Sequence, residues 1–160
     1  MEKITLYHGT NCIFSEIDLS KSRTKRDFGI GFYTTTVYEQ ALQWAKNMYI
    51  RYGGDGIFVK EYVFTPTDDL NMLVFPAMNK EWLEFIKSNR IQEGLTHRYD
   101  VVKGSVANDN TMRTIALYVS GVYTTEMALE QLRFFKANDQ ISFHTQKSIG
   151  CLHFINDKEI

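Results

Sequence analysis

At 160 residues, 44% of them apolar and 14% aromatic, the chain is long enough to form a hydrophobic core, which excludes a disordered protein. A formal net charge of -1 gives no overall positive field for nucleic acid or anionic lipid. Cys12 and Cys151 are too few for a disulfide scaffold or a cysteine metal cage. With no apolar run long enough to span a bilayer and no signal-peptide pattern, we expect a single cytoplasmic domain over residues 1–160.

The predicted elements place strands at both ends of the chain and helices between them. Apolar residues recur at helical spacing over residues 38–52, where Trp44 is expected in the core, and Gly53 with Gly54 ends the helix. Strands are predicted over 4–8, 57–64, 70–74, 99–104, 140–145 and 151–155, and further helices over 79–90, 111–120 and 126–135. This order favours an α+β fold over a repeated β-α-β series.

The most unusual stretch is Asp27-Phe28-Gly29-Ile30-Gly31-Phe32-Tyr33, in which two glycines stand between aromatic residues. Glycine lacks a Cβ, so another group can approach the backbone closely, and the aromatic rings offer flat faces for stacking. A dinucleotide-binding Gly-x-Gly-x-x-Gly pattern would need a third glycine at Thr34, and an RNA-recognition strand would need another glycine and another aromatic residue. Neither pattern fits this stretch.

Four basic residues precede the glycine stretch, between Lys21 and Arg26. By themselves they indicate a solvated charged loop. Beside a nucleotide pocket, phosphate binding is an equally good explanation, because arginine and lysine supply the positive charge that phosphate needs.

Two further polar motifs stand at strand ends far apart in the sequence. His8-Gly9-Thr10 ends the first strand, and Asn138-Asp139-Gln140-Ile141 begins a late one. A lone histidine at a strand end is more often structural, but its combination with the glycine stretch favours a ligand site. The other three histidines show no metal-ligand spacing, so we expect them to be structural and predict no metal site. They are His97, His144 and His153.

Together these motifs resemble the ADP-ribosyltransferase superfamily, in the branch of diphtheria toxin and the poly(ADP-ribose) polymerases, whose triad is His-Tyr-Glu. In that branch the first strand ends with His-Gly-Ser/Thr. The next strand opens with Gly-x-Gly followed by a hydrophobic residue and Tyr, and a late strand begins with a carboxylate. The chain resembles still more closely a bacterial family labelled as a domain of unknown function and associated with toxin-antitoxin and phage-defence loci.

That resemblance covers nearly the whole chain. The motifs that carry it are Tyr7-His8-Gly9-Thr10, Ser22-Arg23, Asp27-Phe28-Gly29-x-Gly31-Phe32-Tyr33, Gln40-Ala41-x-x-Trp44-Ala45, Tyr99-Asp100-x-Val102-x-Gly104, Ala107-Asn108-Asp109 and Asn138-Asp139-Gln140-Ile141-x-Phe143-His144-Thr145. Each motif is weak alone, and their order along the chain makes the match specific.

The resemblance implies an ADP-ribosyltransferase-like split β-sandwich, with helices inserted between strands, that holds NAD as substrate in a cleft. His8 would hydrogen-bond the adenosine-side ribose, the Gly9 backbone would pair with the nicotinamide carboxamide, and Tyr33 would stack on the nicotinamide ring. Further cofactor contacts are implied for Thr10, Ser22, Arg23, Asp27, Phe28, Gly29, Gly31 and Phe32.

At the third triad position the sequence departs from the family pattern. A glutamate is usual, whereas here Asp139 aligns best, and Gln140 takes the place if the register shifts by one residue. Because neighbouring strand residues face opposite ways, only one of the two can point into the cleft. The sequence leaves both alternatives open.

The resemblance thus implies a mono-ADP-ribosyltransferase, the toxin of a bacterial toxin-antitoxin or anti-phage system, that transfers ADP-ribose from NAD to RNA, DNA or protein. An antitoxin protein is the implied partner. The missing glutamate leaves two alternatives, which are a catalytically inactive NAD- or nucleic-acid-binding module of the same fold and an NAD glycohydrolase.

Overall fold

The computed structural model describes residues 2–21, 26–92, 97–106, 109–133 and 138–160. Within these ranges seven strands form two sheets and five α-helices pack around them, which confirms the predicted α+β class. The strands are β1 (Ile4–Thr10), β2 (Phe32–Thr34), β3 (Phe58–Phe64), β4 (Met72–Val74), β5 (Val101–Ser105), β6 (Asp139–Phe143) and β7 (Leu152–Glu159). The helices are α1 (Tyr38–Tyr52), α2 (Lys80–Ile91), α3 (Asp109–Val119), α4 (Thr125–Leu132) and α5 (Gln146–Ile149).

The first sheet has the order β1-β3-β7, with both pairs antiparallel. Its register places His8 opposite Lys60 and Gly9 opposite Val59. Since side chains alternate along a strand, Leu6 and His8 share one face of β1 and Gly9 lies on the other. That second face packs on α1, where a Cβ added to Gly9 would lie 1.8 Å from a backbone oxygen of the helix.

The second sheet has the order β2-β6-β5-β4, in which only the β4-β5 pair is parallel among the described strands. Tyr33 lies opposite Ser142, and Gln140 opposite Gly104. The short strand β2 therefore lies against β6, so residues of the glycine stretch and of the late strand are neighbours in space. After residue 27 the chain forms a loop, the short strand β2 and then the helix α1, of which the helix was predicted.

One pair of hydrogen bonds links the two sheets. The Tyr7 amide donates to the Thr35 carbonyl at 2.8 Å, and the Thr35 amide donates to the Tyr7 carbonyl at 2.9 Å. In the described part of the chain this bridge is isolated, and the edges of β1 and β2 do not continue as a ladder past it. His8 directly follows Tyr7 of the bridge, and Tyr33 lies two residues before Thr35.

Two hydrophobic cores hold the elements in place. The core between the sheets contains Leu6, Phe64 and Phe143, and the last two rings meet edge to face at 4.9 Å. The other core, between the second sheet and α2, α3 and α4, contains Trp82 and Phe28, both fully buried. Burial of such large rings is the main favourable term in folding. None of the described helices has the length and apolar character to cross a bilayer.

Several element boundaries differ from the sequence predictions. The helix α1 has the predicted bounds, whereas α2 begins one residue later because the Asn79 side chain caps it, accepting a hydrogen bond from the Trp82 amide at 2.9 Å. The four-residue helix α5 was not predicted, and β7 extends to Glu159. The expectation that Trp44 is a core residue is wrong, since its side chain is only partly buried and lines a cavity.

Gly9 is required where β1 meets α1. Replacing Gly9 by alanine forces a methyl group against the Ala41 backbone carbonyl, so we expect the free energy of unfolding to fall by about 2 kcal/mol or more. Urea denaturation measures this loss. The control is Gly150→Ala, where the backbone is right-handed helical and an added Cβ has its nearest neighbour at 3.4 Å. Equal stability of the two variants would contradict the close approach.

Candidate functional site

A cavity of about 460 Å³ opens beside the bridge between the sheets. Its walls come from the end of β1, the segment after it, β2 and the last turns of α1. The lining residues include His8, Thr10, Phe14, Ile17, Arg26, Gly31, Phe32, Tyr33, Met48 and Tyr52. The wall combines apolar and aromatic side chains with polar and charged ones, among which are Glu16, Asp18 and Lys21. A mixture of this kind suits a small molecule that carries both rings and polar groups.

His8 is held as a neutral imidazole. Its Nδ1–H donates to the Tyr33 carbonyl at 2.6 Å, and its ring stacks on Phe32 with centroids 4.1 Å apart. Burial lowers the pKa of His8 to about 4, and the nearby positive charges of Arg26 and Lys60 act in the same direction. Because Nδ1 carries the proton, Nε2 is a hydrogen-bond acceptor and can receive a ligand hydroxyl in the cavity.

The backbone of Gly9 lies on the same edge of β1 as that of Tyr7. Alternate residues of a strand direct their N–H and C=O groups to opposite edges, and those of Tyr7 point to Thr35. The N–H and C=O groups of Gly9 therefore point to the side of the opening between the sheets. Such a donor and acceptor pair matches the two hydrogen-bonding groups of a carboxamide.

Tyr33 is fixed at both ends of its side chain. Its hydroxyl donates to the Gly29 carbonyl at 2.7 Å and accepts from the Phe28 amide at 2.9 Å, and burial raises its pKa above the ordinary value. The guanidinium of Arg26 lies over its ring at 3.9 Å from the centroid. A planar ligand can stack on this face only after Arg26 moves aside.

A second cavity, of about 590 Å³, adjoins the first, and Arg26 and Tyr33 line both. Gln140 lines this second cavity and is 4% exposed. Its side-chain amide donates to Asp27 and to the Ser105 carbonyl, each at 3.3 Å. Gln140 is therefore the residue of the late strand that points towards the glycine stretch.

Asp139 faces the other side of β6. Its carboxylate accepts hydrogen bonds from the Thr35 hydroxyl at 3.0 Å and from the Thr36 amide and hydroxyl at 2.9 and 2.6 Å. These contacts fix the segment between β2 and α1. Of the two alternatives for the third triad position, the structure places Gln140 against the cavity and gives Asp139 a local anchoring contact.

Asp27 is the carboxylate nearest to Gln140. One of its oxygens accepts from Arg90, with Nε at 2.8 Å and Nη2 in an ion pair, and the other accepts from Gln140. The carboxylate thus has a fixed position on the wall of the second cavity. It is a negative charge held beside the amide of Gln140, one of the two candidates for the third triad position.

Two histidines that the sequence analysis treated as structural hold the glycine stretch in place. His97 donates from Nε2 to the Phe28 carbonyl at 2.7 Å, and His144 donates from Nδ1 to the Ile30 carbonyl at 2.6 Å. Each ring accepts at its other nitrogen, from the Tyr99 amide at 3.1 Å and the Ser142 hydroxyl at 2.8 Å. Both rings are therefore neutral, and their spacing in the sequence gave no signal of this shared role.

The glycine at position 31 has a protein partner. A Cβ there would lie 2.7 Å from His144 Nδ1, so the ring of His144 is the group that approaches the backbone closely. Phe28, expected to contact the cofactor, is fully buried in the core. Thr10, Gly31 and Phe32, also predicted to contact the cofactor, line the first cavity. Ser22 and Arg23 lie outside the described residues.

The described residues contain no group of three or more His, Cys, Asp or Glu side chains placed to hold a metal ion.

His144 makes stability depend on pH. Burial lowers its pKa to about 4 from an ordinary 6.5, so between these values the unfolded chain binds a proton that the folded chain does not. The free energy of unfolding should therefore fall as the pH drops from 6.5 to 4, with His144 contributing on the order of 3 kcal/mol. Urea titrations at several pH values measure the slope.

The variant His144→Asn keeps a donor for the Ile30 carbonyl and cannot take up the proton, so its slope in this window should be shallower than that of the wild type. The control variant is His153→Asn, which replaces an exposed histidine on β7 and should leave the slope unchanged. If both variants keep the wild-type slope, His144 is not the buried neutral group described above.

Comparison with known proteins gives a family without an assigned activity. No curated protein and no solved structure matches the chain. A family model described as "Protein of unknown function (DUF3990)" matches residues 4–154, which include His8, Tyr33, Asp27 and Gln140. The match spans nearly the whole sequence, and the chain belongs to the DUF3990 family.

Proposed function

We propose that the protein is an NAD-dependent mono-ADP-ribosyltransferase with an ADP-ribosyltransferase-like split β-sandwich fold. The observation that carries the proposal is the contact of His8 with the Tyr33 carbonyl at the point where two sheets part, beside a cavity that both residues line. This agrees with the order of the His-Gly-Thr and Gly-x-Gly-Phe-Tyr motifs in the sequence.

The groups on the wall suit the separate parts of NAD. The acceptor Nε2 of neutral His8 receives a hydroxyl of the adenosine-side ribose, and the Gly9 backbone pairs with the carboxamide of nicotinamide. The nicotinamide ring stacks on Tyr33 once Arg26 has moved. This ring is positively charged in NAD, so one cation replaces another on that face of Tyr33. The displaced arginine is then available to the pyrophosphate.

The reaction breaks the bond between C1′ of the ribose and the nitrogen of nicotinamide. Both electrons of this bond leave with nicotinamide, and the ribose becomes an oxocarbenium-like cation that an acceptor oxygen or nitrogen attacks, losing its proton to solvent. A site that favours positive charge at the ribose and fixes the leaving group lowers the activation free energy for breaking the bond to nicotinamide. In this chain Gln140 supplies hydrogen bonding at the third position, and Asp27, which is hydrogen-bonded to it, supplies a negative charge.

Gln140 also favours a second candidate function. Glutamine keeps the hydrogen bonds of a glutamate and loses its charge, and the charge of Asp27 is shared with Arg90. A protein that binds NAD without cleaving it is consistent with this arrangement. The role as toxin of a toxin-antitoxin or anti-phage system, with an antitoxin partner, rests on the sequence resemblance.

The proposal is tested with purified protein, a cell lysate and NAD labelled on the adenylate phosphate. We expect release of nicotinamide together with label on a macromolecule, and parallel digestion with nuclease and protease identifies its class. Free labelled ADP-ribose without a labelled macromolecule would make the protein an NAD glycohydrolase. Intact NAD with tight binding would support the inactive module, and absence of both binding and cleavage would reject all three functions.

Substitutions at the site separate the two alternatives for the third triad position. We expect His8→Ala and Gln140→Ala each to slow nicotinamide release by about tenfold or more, since the first removes a hydrogen bond that holds the adenosine-side ribose and the second removes one at the reacting sugar. Asp139→Asn should lower thermal stability and change the rate by less than about threefold, because its carboxylate holds Thr35 and Thr36. A large rate loss in Asp139→Asn with normal cleavage in Gln140→Ala would reverse this assignment.

A further inference from the structure

The second cavity carries a concentration of positive charge that the chain as a whole lacks. Its wall holds three arginines, Arg26, Arg51 and Arg90, and one carboxylate, Asp27, although the formal net charge of the chain is -1. Asp27 is engaged with Arg90. The side chains of Arg26 and Arg51 are exposed at this wall, and the balance of charge favours an anionic ligand.

The same wall offers flat apolar surface next to the charge. Trp44 and Arg51 are seven residues apart on α1, so they lie on one side of the helix, and both line the cavity. Trp44 is partly buried there, and Tyr33 borders the same space. An aromatic ring beside a guanidinium suits a ligand that combines an anion with a planar ring.

The inner end of the cavity has hydrogen-bonding groups in fixed positions. The Gln140 amide is held by the Ser105 carbonyl and by Asp27, which Arg90 fixes in turn. Amide and carboxylate groups of this kind bind the polar edges of nucleobases. The cavity thus contains a matching group for the phosphate of a nucleotide, for the ring of its base and for the polar edge of that base.

We propose that the second cavity binds an unpaired nucleotide of a single-stranded nucleic acid, with Trp44 stacking on its base, Arg51 contacting its phosphate, and Gln140 with Asp27 at the base edge. A base within a duplex cannot enter a cavity of this kind, so the strand must be unpaired at that point. Arginine contacts to phosphate combined with aromatic stacking are the usual means of binding single strands.

The position of this cavity also defines a role for the bound strand, and this step rests on the proposed function. Tyr33 and Arg26 border both cavities, so the bond to be broken in NAD would lie at their boundary. An oxygen or nitrogen of the nucleotide then forms a bond to C1′ of the ribose, nicotinamide leaves with the electron pair, and the proton of the attacking group passes to solvent.

Binding is tested without NAD, by fluorescence anisotropy with labelled single-stranded RNA and DNA octamers of mixed sequence over a range of salt concentrations. We expect Trp44→Ala to weaken binding about fivefold or more. Arg51→Ala should weaken binding and reduce the slope of log Kd against log salt by about 0.7, which corresponds to one phosphate contact. The control Lys80→Ala removes an exposed positive charge at the start of α2 and should bind as the wild type does.

The nucleotide site is overturned if neither octamer binds at low salt, or if Trp44→Ala and Arg51→Ala leave binding unchanged. Label from NAD on protein and none on nucleic acid would overturn the role of the bound strand as acceptor. Thermal unfolding shows whether Trp44→Ala is folded, and Trp44→Leu, which keeps the apolar volume, should lose binding as well. If the octamer binds at this cavity and NAD remains uncleaved, the proposed function fails and the nucleotide site stands.

Discussion

The arrangement of the site depends on the pair of hydrogen bonds between Tyr7 and Thr35. They join the two sheets at one point. Beyond that point β1 and β2 separate, and an open space lies between them. His8 immediately follows the bridge, and its ring reaches across to the Tyr33 carbonyl. The first cavity lies beside this bridge, and in the described residues the backbones of β1 and β2 do not pair further along.

Three neutral histidines maintain this opening. His8, His97 and His144 each donate to a carbonyl of the stretch from Phe28 to Tyr33, and burial lowers the pKa of each ring. A second proton on His97 would remove its acceptor nitrogen, and the Tyr99 amide would lose its partner. The glycine stretch is thus held at three of its carbonyls by neutral imidazole rings.

Local sequence patterns predicted those features of the fold that depend on interactions between residues close together in the chain. The bounds of α1 follow from apolar spacing and a terminal glycine, and the α+β class follows from the order of elements. The four residues of α5 are too few to produce a periodic signal. The choice between Asp139 and Gln140 depended on how β6 pairs with β2 and β5, and that pairing is set by contacts distant in the sequence.

The glycines show the same limit. Their pattern predicted that a group approaches the backbone closely, and this was correct, but the groups that approach Gly9 and Gly31 are α1 and the His144 ring. Trp44 fits the apolar spacing of a core residue, yet it is only partly buried and lies on the wall of the second cavity. Such contacts are made by residues distant in the sequence, so the residues next to each glycine or to Trp44 do not predict them.

A crystal structure with a non-cleavable NAD analogue tests most directly whether NAD binds in the first cavity with its adenosine-side ribose on His8. We expect a ribose hydroxyl within hydrogen-bonding distance of His8 Nε2, and the nicotinamide ring on the face of Tyr33 that Arg26 now covers. An analogue bound away from both residues, or bound with Arg26 still over Tyr33, would contradict it.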